Sequence, residues 1–134
     1  VRCQSEGYRG TDRPYKAQDG AGNTLTFVGY QHENAYVLAK GRPPLPANPL
    51  PDVIPWQYAG NRHHPTEKPV SVLRPLIESF TKPGDLVLDP FAGSGSTCVA
   101  ADQCGRRWIG IELLEQYHAA GLKRIGELRA ARAA

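Results

Sequence analysis

Apolar positions fall into short, dissimilar blocks separated by polar or proline-rich stretches. Residues 1–24 are polar and rich in Gly, Asp and Arg, which predicts loops or a poorly anchored end. Between 25 and 39, aromatic and β-branched residues gather. Glu33 to Lys40 reads as a strand centred on Tyr36, Val37 and Leu38 and stopped by Gly41. Six prolines between 43 and 55 exclude a helix or a central strand. They predict a stiff, extended connector over 42–62, pinned to the body by Trp56 and Tyr58.

The second half is more regular. Val70, Leu73, Ile77 and Phe80 recur at helical spacing, with Pro69 in the first turn and Pro75 predicting a bend or a lost hydrogen bond. Pro83-Gly84 signals a turn. Leu86-Val-Leu-Asp89 is an unbroken apolar run, as in a strand buried on both faces of a parallel sheet. A glycine-rich turn follows at 93–95, then a helix of small residues from Ser96 to Gln103, closed by Gly105. Trp108 to Glu112 reads as a second buried strand. Leu114 to about Arg132 is the best helix, with Leu114, His118, Leu122, Ile125 and Leu128 as its apolar stripe and Lys123, Arg124 and Arg129 mostly outside it. This order makes 25–134 an α/β domain with a Rossmann-like half and a mostly parallel sheet with flanking helices.

Composition narrows the class. The chain has 134 residues, enough for one domain, with 40% apolar and 22% charged residues, so it is globular and not disordered. A complete α/β enzyme acting on a macromolecule usually needs about 200 residues, so part of such a plan is expected to be missing. Net charge is +3, compatible with a polyanionic partner. No apolar run approaches the roughly 20 residues of a membrane span, and the first residues lack the apolar core of a signal peptide. Cys3, Cys98 and Cys104 are odd in number and form no C-x-x-C, which predicts free thiols in a reducing, cytoplasmic setting and no metal site. His63 and His64 lack a third ligand and read as loop residues; His32-Glu33 reads as a structural pair beside the site. Lys123 to Arg132 reads as a solvated basic face.

The chemistry sits between the two buried strands. Gly93 and Gly95 let the backbone turn sharply and approach a ligand, and the next helix presents its N–H groups to it. Glu112 ends the second strand, where a carboxylate can accept both hydroxyls of a ribose. The third glycine of G-x-G-x-x-G is absent, so this is not a dehydrogenase fingerprint.

Asp89-Pro-Phe-Ala-Gly-Ser-Gly-Ser-Thr97 resembles the S-adenosylmethionine motif of the amino-group DNA methyltransferases, which methylate adenine N6 or cytosine N4. His64-Pro-Thr-Glu-Lys-Pro69 resembles the second cofactor motif of that family, and Gly110-Ile-Glu112 with Tyr117 continues the pattern. The order is that of the class whose cofactor motifs are C-terminal. Residues 30–41 also resemble the strand region before the recognition segment of plasmid- and phage-type members. The resemblance implies a partial methyltransferase fold. It also implies that Asp89, Phe91, Gly93 and Gly95 line the cofactor, and that Ser96 and Thr97 hold the methionine carboxylate. Thr66 and Lys68 would approach the same end, His64 and Pro65 would shape their loop, and Glu112 would take the ribose.

The family's catalytic motif, D/S/N-P-P followed by an aromatic residue, is absent. Its nearest string is Asp12-Arg13-Pro14-Tyr15, in which arginine replaces the first proline and no buried strand precedes, so a proline turn is the preferred reading. The expectation is therefore the S-adenosylmethionine-binding C-terminal part of a DNA amino-methyltransferase, with adenine N6 preferred to cytosine N4. DNA would be its partner, no membrane would be involved, and a homo-oligomer or a second chain would supply the missing strands and motif. The alternative is a catalytically inactive cofactor-binding or DNA-associated module, or a remnant that binds nothing.

Overall fold

The computed structural model describes residues 2–6, 17–18, 24–25, 32–57, 63 and 67–133. In chain order the elements are β1 (Arg2–Glu6), β2 (Ala17–Gln18), β3 (Thr24–Leu25), β4 (His32–Asn34), β5 (Val53–Gln57), α1 (Val70–Phe80), β6 (Leu86–Asp89), α2 (Ser96–Gln103), β7 (Arg107–Gly110) and α3 (Glu115–Ala133).

Pro69, with its fixed φ of −62°, sets the start of α1, and its carbonyl accepts from the N–H of Val72. The helix runs on through Pro75, which has no N–H to donate to the carbonyl of exposed Ser71 one turn earlier. Val72 and Ile77 are its buried residues, whereas Phe80 is half exposed and drops out of the predicted stripe. Val72 meets Ile54 of β5, and Ile77 meets Ala100 and Ala101 of α2, so α1 joins two small sheets through two hydrophobic clusters.

The first sheet has the order β4-β1-β5, with β1 antiparallel to β4 and parallel to β5. This corrects three expectations. Within residues 1–24, expected to be loops, Arg2–Glu6 form the middle strand of that sheet. The strand expected over 33–40 ends at Asn34, and Tyr36, Val37 and Leu38 lie exposed beyond it, in chain without regular structure and with no strand beside it among the described residues. The proline-rich connector ends earlier, because Val53–Gln57 pair with β1. Pro55 is accommodated there because β5 is an edge strand among the described residues, where one side of the backbone needs no ladder donor. Tyr58 lies outside the described residues.

The second sheet is the parallel pair β6 and β7, with Val87 opposite Trp108 and Asp89 opposite Gly110. Val87 and Trp108 face the helices: both pack against the cluster of Ile77, Ala100 and Ala101 from α1 and α2, and Trp108 also packs against the cluster that contains Ile125 of α3. The other face carries Leu86, Leu88, Ile109 and Ile111, each about half exposed. Double-sided burial is therefore not observed. The strands alternate, because the helices cover one face only. Asp102 ties α2 to α3, accepting from Arg129 at 2.8 Å, Arg132 at 2.9 Å and the Trp108 indole at 3.3 Å. Burial alone would raise the Asp102 pKa, but the hydrogen bonds from Arg129 and Trp108 and the two arginine charges outweigh it and lower it. No helix among the described residues is long and apolar enough to cross a membrane.

Candidate functional site

The two parallel strands end side by side, and their outgoing loops stay bonded. Ile111 N–H donates to Asp89 O and Ala92 N–H to Ile111 O, both at 2.9 Å, which extends the ladder past the strands. Asp89 closes the first turn by accepting the Phe91 N–H at 3.0 Å through Oδ1. Gly93 and Gly95 then adopt φ of +53° and +77°, which other residues rarely adopt. Gly95 N–H bonds Ala92 O at 2.8 Å, and Gly95 O receives Val99 N–H as α2 begins.

Glu112 links the two loops. Its Oε2 accepts the Gly93 N–H at 2.8 Å and its Oε1 the Leu114 N–H at 2.9 Å. A pocket open to solvent lies beside it, lined by Gly93, Gly95, Trp108, Glu112, His118 and Leu122 among others. Cys98 forms part of its wall as a buried free thiol. Burial, with the nearby Asp89 charge, pushes its pKa up to about 11.

Close packing fixes the walls. A Cβ on Gly110 would stand 2.7 Å from Cys98 Sγ and 3.0 Å from Ala92 Cβ. Gly110→Ala is accordingly expected to lower the unfolding free energy by about 1–3 kcal/mol. Urea denaturation checks this, and a Cys98→Ala background should recover part of the loss. Gly121 of α3 sits against the glycine loop, with its Cα 3.3 Å from where a Gly95 Cβ would be. Arg124, one turn further on, donates to Ser94 O, Ser94 Oγ and Ser96 Oγ and pairs with Glu67 at 3.0 Å.

A family model for DNA methylases of the N6/N4 type matches residues 47–123. The chain belongs to that DNA methylase family. This chain is 71% identical over 105 residues to YubD of Escherichia coli (strain K12), covering 78% of this chain and 46% of that protein. It is 37% identical over 102 residues to the DNA adenine methyltransferase YhdJ of the same strain, covering 69% of this chain and 34% of that protein. Among solved structures, TTHA0409 of Thermus thermophilus, complexed with S-adenosyl-L-methionine, matches with a TM-score of 0.50 at 32% identity, over 57% of this chain and 30% of that one. The chain thus spans about half or less of the length of these relatives.

Of the residues singled out in the sequence, Asp89, Gly93, Gly95, Ser96, Thr97 and Glu112 come together around the strand ends. Phe91 is on the same loop but is 87% exposed. Lys68 pairs with Glu33 at 2.6 Å, so Glu33 of the His32-Glu33 pair reaches the second motif. His64, Pro65 and Thr66, and likewise Asp12, Pro14 and Tyr15, lie outside the described residues. The basic tail is corrected at one position: Arg124 is 14% exposed and bonded to the glycine loop, whereas Lys123, Arg129 and Arg132 stay on the solvated face, the two arginines also bonding Asp102. Gly121, Arg124 and Glu67 were missed. The inward stripe of α3 is Gly121, Arg124, Ile125 and Leu128, with Gly121 and Ile125 buried and the other two partly so, at the i, i+3, i+4, i+7 spacing. A glycine inside a strong helix was the signal, because it needs a packing reason to offset about 1 kcal/mol.

Proposed function

We propose that the chain is the S-adenosylmethionine-binding part of a DNA amino-methyltransferase, with adenine N6 the preferred target. The observation that carries this is the 2.8 Å contact of Glu112 with the Gly93 N–H, a half-buried acid set against a glycine turn at the ends of two parallel strands.

The residues fit the cofactor. A carboxylate has about four lone-pair sites, so Glu112 can both hold the loops and receive ribose hydroxyls. The start of α2 has no side-chain cap, and its first N–H groups and positive dipole end suit the methionine carboxylate, with Ser96 and Thr97 beside them. Asp89 is the carboxylate for the amino group, Phe91 the ring for the sulfonium end, and His64, Pro65, Thr66 and Lys68 the opposing loop. When bound, S-adenosylmethionine supplies the methyl group. Likeness to the adenine methyltransferase YhdJ favours adenine over cytosine.

The chain's 134 residues contain no D-P-P-Y-type motif to hold the target amine. Another chain, or a second half of the same plan, supplies it, working in the cytoplasm where the DNA is. The apolar face of Leu86, Leu88, Ile109 and Ile111 suits such a covering layer. Incubated with tritium-labelled S-adenosylmethionine and unmethylated DNA, the chain alone is expected to transfer no methyl group. Addition of the motif-bearing half of a relative should start transfer. Turnover by the chain alone would contradict the division of labour and point back to Asp12, Pro14 and Tyr15.

A further inference from the structure

Arg124 lies one residue beyond the stretch that matches the DNA methylase family, and none of the sequence motifs includes it. Its side chain is only 14% exposed and that of its partner Glu67 only 6%. A buried ion pair is weak evidence for stability, because desolvation offsets its attraction, so its directional contacts are the more informative feature. They go to Glu67 on one side, and to the glycine loop and the first residue of α2 on the other. One guanidinium nitrogen, Nη1, donates to Ser94 O at 2.9 Å, Ser94 Oγ at 3.1 Å and Ser96 Oγ at 3.2 Å. The other, Nη2, meets Glu67 Oε1 at 3.0 Å. Glu67 Oε2 in turn accepts the His63 N–H at 3.0 Å, closing the stretch that contains His64, Pro65 and Thr66. Gly121 brings α3 close enough for this reach.

We propose that Arg124 is a positioning residue: its planar fork holds Glu67, which itself holds the His63 N–H, and the glycine loop at one separation, and so sets cofactor affinity without touching the cofactor. The proposal rests on the cofactor reading above. A lysine has the charge but no fork, and cannot bond both loops in the same geometry.

The test uses Arg124→Lys, Arg124→Gln and Arg124→Gln/Glu67→Gln in the 134-residue chain. It has two readouts: calorimetric affinity for S-adenosylhomocysteine, and amide hydrogen exchange of the ligand-free chain. Arg124→Gln is expected to weaken binding about tenfold or more and to speed exchange in 63–69 and 92–97 together, with β6 unchanged. Arg124→Lys should be intermediate, and it serves as the folded reference if Arg124→Gln unfolds. The double variant should bind no more weakly than Arg124→Gln alone. Wild-type affinity and unchanged loop exchange in both single variants would overturn the proposal, as would a lower melting temperature with neither readout moved. If the wild-type chain itself binds no S-adenosylhomocysteine, the cofactor reading fails separately. The exchange readout then decides whether Arg124 ties the loops, and unchanged exchange overturns that as well.

Discussion

Glu112→Ala is expected to weaken S-adenosylhomocysteine binding about 30-fold or more, equivalent to about 2 kcal/mol. The effect has two sources. The variant loses the acceptor assigned to the ribose hydroxyls, and it also releases the Gly93 and Leu114 N–H groups that Glu112 now holds at 2.8 and 2.9 Å. The glycine turn then loses its tie to the second strand, so the pocket wall loosens as the ligand contact goes. Glu112→Gln separates these sources in part. Its amide has one oxygen and would turn an NH₂ toward one of the two donors, so it should fall between wild type and alanine. Parallel titrations of the three proteins check the order.

Glu67→Ala is expected to lower the unfolding free energy by about 3 kcal/mol, read by urea denaturation. Truncation leaves the Arg124 guanidinium, 14% exposed, without its counter-charge, and opens the bond that closes the loop from His63. An uncompensated buried charge makes breaking such a pair far worse than removing both partners. Glu67→Ala/Arg124→Met should therefore be more stable than Glu67→Ala alone, by at least about 1 kcal/mol. Equal stability of the two would mean that the pair is solvated.

Much of the site was legible because its chemistry is local in sequence. The glycine turn, its helix from Ser96 to Gln103 and the acid at Glu112 lie where their spacing puts them. The membership of the DNA methylase family likewise agrees with what the motifs imply. What was illegible depends on partners distant in the chain. Arg2–Glu6 is too polar to announce a strand, and main-chain pairing with residues 32–34 and 53–57 makes it one. Pro55 looked prohibitive until β5 proved to be an edge among the described residues. Leu86, Val87 and Leu88 read as buried on both sides, since an apolar run records what a sheet is suited to contact, and here one face is open. Arg124 looked like a surface charge because a helical stripe drawn through leucines omits a buried ion pair.

The central claim is that the Glu112–glycine-turn constellation binds S-adenosylmethionine. Isothermal titration of the chain with S-adenosylhomocysteine tests it most directly. The account predicts saturable, one-to-one heat with a matching rise in melting temperature, both strongly reduced in Glu112→Ala. No heat and no thermal shift from the folded wild-type chain at millimolar ligand would contradict it.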